Sequence, residues 1–351
     1  MMEKVGIGIL SFAHGHSGVY CQVMKDFPDV DLVAAWDDNP ERGRKAAETY
    51  GLEYRARVED LLSDPRIQAV IVTCETNRHA ELIEQAAAAG KHILCQKPLA
   101  TTLADCDRII QAVKRYGVKF GMGYQMRHDP MNLKMKALVD AGEVGNIAIV
   151  RRRHALNVLL SPDFVNGPTR WHFDPTANVG MFFDDASHVC DWFYWMLGKP
   201  VSVTAEIDDV VTHVSPDDNG VAIFRFGKGE IGILLNSSTT VAAIGTTEIY
   251  GDRGTILHDY GDGPSCAAPR PADAVSIRMI HTGETRWTEF PIPIPANQGE
   301  RLKAVPRPFI DYVLGRTDET ISAEDGRVTV EMLIGAYRSA AEGKRIRFPI
   351  Q

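Results

Sequence analysis

Residues 5–40 read VGIGILSFAHGHSGVYCQVMKDFPDVDLVAAWDDNP, and this stretch decides the fold. The apolar run Val5 to Leu10 predicts a buried strand, and a second run at Leu32 to Trp36 predicts another. The residues between them, Ser17 to Phe27, form an amphipathic stretch long enough for a helix. A strand, a helix and a second strand in this order are typical of a βαβ unit with parallel strands.

The same alternation continues to residue 124. It predicts further strands and helices at Ala69 to Thr73, His92 to Cys95, Val118 to Tyr124, Pro40 to Tyr50, Arg78 to Ala89 and Leu103 to Tyr116. Gly51, Gly90 and Gly117 follow three of the helices, where glycine commonly ends one. We therefore predict an α/β domain over residues 1–124 with a Rossmann-like, doubly wound parallel sheet.

From Gln125 onward the strands are grouped together instead of alternating with helices. Turn signals at Gly227-Lys228-Gly229, Gly251 to Gly254 and Gly283-Glu284 each separate two strand-like runs and indicate antiparallel hairpins. Helices are predicted at Met181 to Leu197, Gly299 to Leu314 and Ala323 to Glu342, before a last strand at Arg345 to Ile350. Residues 125–351 are thus predicted to form an α+β domain with a large, mostly antiparallel open sheet.

Composition excludes several classes of function. The 351 residues contain 38 Lys and Arg against 46 Asp and Glu, a net charge of −8, so we expect no nucleic acid and no membrane surface as a partner. No apolar run approaches the roughly 18 residues of a membrane-spanning helix, and residues 1–10 lack the apolar core of a secretory signal. The six cysteines include no C-x-x-C pair. We expect a cytoplasmic protein with reduced thiols that acts on small molecules.

The first strand is followed by a turn, Ser11-Phe12-Ala13-His14-Gly15-His16, where a dinucleotide site would carry G-x-G-x-x-G. Ser11 and Ala13 occupy two of the glycine positions, and the Ser11 hydroxyl could donate to a phosphate. Asp37 ends the second strand, where a carboxylate binds the adenine ribose of NAD and disfavours NADP. The alternative reading of this acidic pair is a helix start, because Asp38-Asn39-Pro40 suits an N-terminal cap.

Several further segments together resemble one family. They are Thr73 to His79, the segment GKHILCQKPLA at Gly90 to Ala100, the segment GMGYQMRHDP at Gly121 to Pro130, and Asp184 to His188 followed by Asp191. These segments are similar to those of the Gfo/Idh/MocA oxidoreductases, and the resemblance extends to the tail at Phe309 to Pro349. It implies a dinucleotide domain followed by a substrate-binding and oligomerisation domain. It also implies an oxidoreductase that moves hydride between NAD and a sugar, inositol or related polyol.

The resemblance also implies roles for individual residues. Lys97 stabilises the alkoxide next to the nicotinamide, and the bond to Pro98 is often cis in the family. Taken in isolation, Lys97 is better read as a surface lysine that caps a strand end. Cofactor contacts are expected from Ser11, Phe12, Ala13, His14, Asp37, Thr73, Asn77, His79, Gln96 and Lys97. Substrate contacts are expected from Arg127, Arg170, Trp171 and His172, for which interdomain packing is an equally good reading.

The helix Met181 to Leu197 offers the candidate general base. At 100° per residue, Asp184, His188, Asp191 and Trp195 fall within one arc, opposite a uniformly apolar arc. A solvated face would also explain the charges, but Trp192 and Trp195 lie on the polar side, so we expect this side to face a ligand. His188, with an ordinary imidazole pKa of about 6.5, suits removal of a hydroxyl proton. Asp184 would orient His188 or bind a second hydroxyl.

Two departures from the family pattern leave other functions open. The turn lacks its glycines, and Gln96 replaces the usual glutamate beside Lys97. One alternative is a non-redox relative, a lyase or glycoside-cleaving enzyme that holds NAD tightly, and another is a ligand sensor without turnover. A metal site built from His14, His16, Asp184 and His188 is a minority hypothesis because no compact ligand cluster is visible; we predict no metal. An apolar outer sheet face would need covering, so we expect a homodimer or homotetramer.

Overall fold

The computed structural model describes residues 4–350, and the side chains of all of these except residues 266 and 267. The thiol state expected for Cys266 therefore lies outside the described residues. The other five cysteines, Cys21, Cys74, Cys95, Cys106 and Cys190, are buried free thiols. Within residues 4–350, no helix is both long enough and apolar enough to cross a membrane.

The chain divides into two compact units, which are described separately. The first comprises residues 1–125, 176–178 and 302–330, and the second comprises residues 126–175, 179–301 and 331–351. The division into residues 1–124 and 125–351 stays a prediction. A single boundary cannot describe the two units, because residues 302–330 pack with the first unit.

A six-stranded parallel sheet forms the centre of the first unit. Its spatial order is β3-β2-β1-β4-β5-β6, and the strands are β1 (Val5–Leu10), β2 (Val30–Trp36), β3 (Glu53–Tyr54), β4 (Ala69–Val72), β5 (His92–Cys95) and β6 (Phe120–Met122). This order runs outward in both directions from β1 and β4, as in a doubly wound dinucleotide fold. The predicted Rossmann-like sheet is confirmed. The short β3 carries only two residues, and the sequence pattern did not indicate it.

The helices of the first unit begin and end at recognisable signals. They are α1 (His16–Met24), α2 (Pro40–Tyr50), α3 (Val58–Leu62), α4 (His79–Ala88) and α5 (Leu103–Tyr116), with a 3₁₀ turn at Thr76–Arg78. Gly51, Gly90 and Gly117 have φ of +70°, +72° and +64°, the left-handed conformation that glycine adopts most readily. The cap of α2 is Asn39, whose side chain accepts from two backbone N–H groups, and Asp38 does not fill that role.

A late helix belongs to the core of the first unit. Helix α11 (Pro306–Val313) contributes Phe309 and Ile310 to the cluster that contains Ile7 and Ile9 of β1. The predicted helix Gly299 to Leu314 is in fact two helices, α10 (Gln298–Leu302) and α11, because the second one starts anew at Pro306, which has no N–H to continue the first.

The second unit contains a nine-stranded sheet. Its order is β14-β13-β12-β11-β7-β10-β9-β8-β15, and the strands are β7 (Ile147–Ala155), β8 (Pro200–Asp208), β9 (Asn219–Phe226), β10 (Ile231–Ser237), β11 (Gly245–Gly251), β12 (Gly254–Asp259), β13 (Ile277–His281), β14 (Thr288–Phe290) and β15 (Ile346–Arg347). Every pair is antiparallel except β7 with β10. The mostly antiparallel sheet is confirmed, and the three predicted turns join β9 to β10, β11 to β12 and β13 to β14.

Helix α8 covers one face of this sheet. The helices of this unit are α6 (Pro130–Asp140), α7 (Pro162–Val165), α8 (Met181–Leu197), α9 (Gly263–Ala267) and α12 (Ala323–Glu342, of which residues 331–342 belong to this unit). There are 3₁₀ turns at Gln125–His128, Val158–Leu160 and Arg170–Phe173. Helix α8 packs closely on the sheet, since a Cβ on Gly232 of β10 would lie 3.0 Å from the ring of Phe193. The position of α8 on the sheet determines where the side chain of His188, the candidate base, lies.

Candidate functional site

The turn between β1 and α1 is held by its own side chains. Ser11 has φ of +75°, a conformation that glycine adopts without strain and that serine rarely does. Its hydroxyl accepts from the backbone N–H of Ala13 at 3.2 Å, and its carbonyl accepts from the Thr73 hydroxyl at 2.6 Å. The N–H of His14 donates to the Thr73 carbonyl at 3.0 Å. Thr73 therefore braces the turn from the end of β4.

Asp37 joins this turn to the end of β2. Its side chain is fully buried and accepts from the Phe12 N–H at 2.6 Å and from the Ser11 hydroxyl at 3.3 Å. The Asn39 N–H and Arg42 Nε also donate to it, Arg42 at 2.9 and 3.0 Å from the two oxygens. Asp37 thus lies where a ribose-binding carboxylate belongs, and an arginine neutralises it.

Arg42 is a feature that sequence reasoning missed. Its Nη2 also donates to Asp38 at 2.9 Å and lies 3.7 Å from Glu75, so it connects the ends of β2 and β4. Arg78 pairs with the other oxygen of Asp38 at 2.6 Å. The only signal in the sequence was an arginine five residues after Asp37, a spacing with no fixed structural meaning.

Asn77 and His79 bind backbone of the first unit. The Asn77 amide donates to the Thr176 carbonyl at 2.9 Å. The buried His79 has Nδ1 3.0 Å from the Pro98 carbonyl and 3.2 Å from that of Leu99, so Nδ1 carries the proton and donates. Burial lowers the pKa of His79 to about 4 and keeps the ring neutral. His79 therefore holds the segment that follows Lys97.

Gln96 and Lys97 extend from the end of β5. Lys97 is 3% exposed, and its peptide bond to Pro98 is cis, as the family resemblance implied. The Lys97 N–H donates to Gln96 Oε1 at 2.9 Å. The Gln96 amide nitrogen lies 2.9 Å from His16 Nδ1 and 3.1 Å from the Tyr20 hydroxyl. Gln96 therefore links the backbone of Lys97 to the first turn of α1 by hydrogen bonds.

In the second unit, the charged residues on the polar side of α8 are buried, and Trp195 on the same side is partly buried. Asp184, His188 and Asp191 are 2%, 3% and 0% exposed, so the solvated-face reading is wrong. Trp192 is also fully buried, and its indole N–H donates to Asn132 at 3.0 Å. Ionisable side chains are rarely buried unless they are paired or serve a function.

His188 lies beside a second histidine. The ring of His154, on β7, is 5.0 Å from that of His188, centroid to centroid, and both rings are buried. Sequence reasoning did not identify His154, because nothing local links a histidine in a strand to a helix 34 positions later.

The predicted substrate residues differ in their surroundings. Arg127 is bound by Asp191, with Nε 3.1 and 3.0 Å and Nη2 2.6 Å from carboxylate oxygens. The rings of Trp171 and His172 stack at 3.8 Å, and His172 Nδ1 lies 2.7 Å from the Thr169 carbonyl. Arg170 is exposed, with its guanidinium 5.9 Å from the Phe173 ring.

Each unit by itself offers a distinct chemistry. The first has a Rossmann turn, a buried ribose-position carboxylate and a buried lysine, which together fit a dinucleotide and a developing negative charge. The second has a buried histidine and carboxylates on one helix, which fit proton transfer and hydroxyl binding. Among the described side chains, those of residues 4–265 and 268–350, no group of three or more His, Cys, Asp or Glu is arranged as a metal-ligand set.

Comparison with known proteins agrees with this arrangement. Residues 5–124 match an oxidoreductase family with an NAD-binding Rossmann fold, and residues 132–257 match the GFO/IDH/MocA C-terminal domain. The chain is 26% identical over 350 residues to the myo-inositol 2-dehydrogenase of Thermotoga maritima, covering 98% of this chain and 97% of that protein.

Two solved structures share the fold. A levoglucosan dehydrogenase, in complex with NADH and levoglucosan, has a TM-score of 0.84 at 22% identity. The match covers 99% of this chain and 100% of the levoglucosan dehydrogenase chain. A putative NADPH-dependent oxidoreductase of Desulfitobacterium hafniense has a TM-score of 0.84 at 20% identity. The match covers 99% of this chain and 98% of the Desulfitobacterium chain.

Proposed function

Because this chain belongs to the GFO/IDH/MocA oxidoreductase family, we propose that it is a dehydrogenase that moves hydride between NAD and a carbinol carbon of a sugar, inositol or related polyol. One observation carries the proposal. The buried Lys97 directly follows Gln96, and Gln96 is hydrogen-bonded to His16 at the start of α1, where a dinucleotide binds in this fold. The inositol and levoglucosan dehydrogenases named above act on polyhydroxylated compounds, which supports this substrate class.

NAD is the proposed cofactor, in preference to NADP. When bound, it supplies a nicotinamide carbon that accepts the hydride with its electron pair. Ser11, Phe12, Ala13, His14 and Thr73 form the proposed cofactor turn, with Asp37 at the ribose and Gln96 and Lys97 at the other end. Asn77 and His79 are proposed to support this site through the backbone that they bind.

The proton moves through the protein's own side chains. We assign proton removal from the substrate hydroxyl to the neutral imidazole of His188, which returns the proton in the reverse reaction. We assign to the Lys97 ammonium the stabilisation of the negative charge that develops on the substrate. Asp184, one helical turn before His188, orients the base or a second hydroxyl. Arg127, Arg170, Trp171 and His172 are the proposed substrate contacts.

Substitution of the two central residues tests this assignment. Lys97→Ala and His188→Ala should each lower kcat by roughly a hundredfold to ten-thousandfold. The NAD affinity of His188→Ala in calorimetric titration should stay within about twofold, because His188 is not among the proposed cofactor contacts. Lys45→Ala and His213→Ala, both at exposed side chains, are the matched controls. Near-normal turnover in both test variants would reject the roles, and substrate conversion without NADH accumulation would indicate the non-redox alternative.

We also propose that the protein is cytoplasmic and forms a homodimer or homotetramer through the outer face of the nine-stranded sheet. Five buried free thiols support a reducing compartment. Exposed aliphatic side chains on β9 support a covered sheet face. Recovery of the protein in a secreted or periplasmic fraction would contradict the proposed location.

A further inference from the structure

Most backbone N–H donors of the turn between β1 and α1 are used inside the protein. A dinucleotide turn ordinarily offers such N–H groups to the pyrophosphate. Here six N–H groups of residues 11–17 donate to protein acceptors, those of Ser11, Phe12, Ala13, His14, His16 and Ser17. A pyrophosphate at this turn therefore meets few backbone donors, and side chains can supply further ones.

The Gln96 amide has a fixed orientation. The Lys97 N–H can only donate, so the Gln96 atom 2.9 Å from it is the carbonyl oxygen Oε1. The nitrogen Nε2 therefore faces His16 Nδ1 and the Tyr20 hydroxyl, at 2.9 and 3.1 Å. Gly123 leaves room for this arrangement, since a Cβ there would lie 3.0 Å from Gln96 Oε1 and 3.3 Å from the Tyr20 hydroxyl.

This orientation determines where His16 carries its proton. An amide nitrogen only donates, so His16 Nδ1 must accept and has no hydrogen of its own. The ring proton is consequently on Nε2, and the imidazole is neutral. His14 follows the same rule, because the His16 backbone N–H donates to His14 Nδ1 at 3.2 Å. Each ring is thus a donor at Nε2.

We propose that His16 binds the pyrophosphate of the dinucleotide through its Nε2–H, and that Gln96 is the positioning residue that fixes this tautomer. His16 is the first residue of α1, occupies the third glycine position of the turn and is only partly buried. The inference rests on the proposed function, since it assumes that a dinucleotide binds here. It deepens that function by naming a side-chain donor where the family pattern relies on glycine.

The two departures from the family pattern then become one change. A glutamate at position 96 would accept from His16 Nδ1, draw the proton of the neutral ring to that atom and leave a lone pair at Nε2. A lone pair directed at a phosphate oxygen is repulsive. Glutamine at 96 and histidine at 16 therefore depend on each other. His14 and Tyr20 are titratable side chains beside the His16 ring, and burial raises the pKa of Tyr20, which stays protonated.

Calorimetric titration of NAD and ADP-ribose into the wild type, His16→Ala and His16→Gln tests the inference. ADP-ribose contains the pyrophosphate but no nicotinamide. We expect His16→Ala to weaken binding of both ligands equally, by about tenfold to a hundredfold, as expected for a hydrogen bond to a charged group. His16→Gln should recover part of the loss, because its amide nitrogen can reach the position of Nε2.

Three outcomes would overturn the inference in different ways. Equal affinity of wild type and His16→Ala for both ligands would show that His16 does not bind the pyrophosphate. A loss for NAD alone would place His16 at the nicotinamide end. If the wild type binds neither ligand and carries none through purification, the proposed function fails and this inference fails with it. Thermal melting establishes that each variant is folded.

Gln96→Glu provides a second, independent measurement. Nitrogen-15 NMR of the wild type should place the His16 proton on Nε2, and in Gln96→Glu the neutral ring should carry it on Nδ1. The affinity of the wild type for ADP-ribose should be constant between about pH 7.5 and 9, where an ordinary imidazole is neutral. That of Gln96→Glu should fall as the pH rises, because the imidazolium that donates from both nitrogens is lost. A proton on Nδ1 in the wild type would overturn the assignment.

Discussion

At the scale of single residues, Asp37 shows how a predicted side chain acquires a partner that the sequence did not indicate. Its place at the end of β2 follows from the strand pattern, and the carboxylate favours NAD by repelling the extra phosphate of NADP. Arg42 offsets that repulsion, since it donates to both oxygens of Asp37. Discrimination between the two cofactors therefore depends on the pair.

This pairing leads to a prediction about cofactor preference. Asp37→Asn removes one negative charge and leaves the Arg42 guanidinium available to a phosphate, so the ratio of NADP to NAD affinity should rise by about tenfold. Arg42→Gln should lower the same ratio. Arg44→Gln, an exposed change of equal charge on the same helix, is the control and should leave it unaltered. An unchanged ratio in Asp37→Asn, measured by calorimetry, would argue against ribose recognition by Asp37.

Residue contacts distant in sequence were not predictable. The Gln96 amide meets His16 across 80 positions, and His154 meets His188 between a strand and a helix. Local periodicity assigns a face to each residue and leaves its partner undetermined. The sequence therefore identified His16 as a polar residue of the turn and could not identify the amide that fixes its tautomer.

At the scale of elements, helix α8 begins without a cap from its own segment. Gly180 is its N-cap residue and has no side chain to accept a hydrogen bond. Asp217, buried and distant in sequence, accepts from the Phe182 N–H at 2.5 Å and from the Tyr337 hydroxyl at 2.6 Å. The Phe183 N–H donates to Tyr337 at 3.0 Å. The first turn of the helix that carries Asp184 and His188 is therefore fixed by side chains from outside it.

Removing this cap should destabilise the protein. Asp217→Ala leaves a buried N–H without its acceptor, which should lower the free energy of unfolding by about 1 to 3 kcal/mol. Asp217→Asn keeps an acceptor and should cost less. Chemical denaturation of the three proteins measures the difference. Equal stability of Asp217→Ala and the wild type would show that Asp217 does not support the start of α8.

The sequence predicted the elements themselves well where a periodic pattern had clear ends. Helix α8 has the predicted bounds, Met181–Leu197, and α5 ends at the glycine expected to stop it. The solvated-face reading of α8 failed, because amphipathicity separates two faces and does not reveal which of them is buried. The cap of α8 was also unpredictable, because Asp217 lies 35 positions from Phe182.

At the scale of the whole molecule, both sheets were predictable and the packing of the late helices was not. Alternating strands and helices indicated the parallel sheet, and three turn signals indicated the hairpins of the second one. Residues 302–330 pack with the first unit although they follow the second in sequence. An amphipathic helix such as α11 reveals an apolar face, and nothing in its pattern states which sheet that face will cover.

The outer face of the nine-stranded sheet leads to a prediction about assembly. Val221 and Ile223 of β9 are 39% and 43% exposed, and they lie opposite Leu235 and Ile233 of β10, which are only partly buried. Contiguous exposed aliphatic side chains are typical of an interface. Light scattering should give a dimer or tetramer for the wild type.

The double substitution Val221→Glu and Ile223→Glu should dissociate this assembly to monomers, because it introduces charge into the apolar face. Val210→Glu, at a more exposed valine in a loop outside the sheet, is the control and should leave the assembly intact. A monomeric wild type at micromolar concentration would contradict the proposed interface.

We propose above all that a turn poor in glycine still binds a dinucleotide for hydride transfer. Calorimetric titration of NAD and NADP into the wild type, after denaturation and mass spectrometry to detect cofactor carried through purification, tests it most directly. We predict one NAD bound per chain, more tightly than NADP. Binding of neither, with no cofactor already present, would contradict the claim and would favour a ligand sensor built on the same fold.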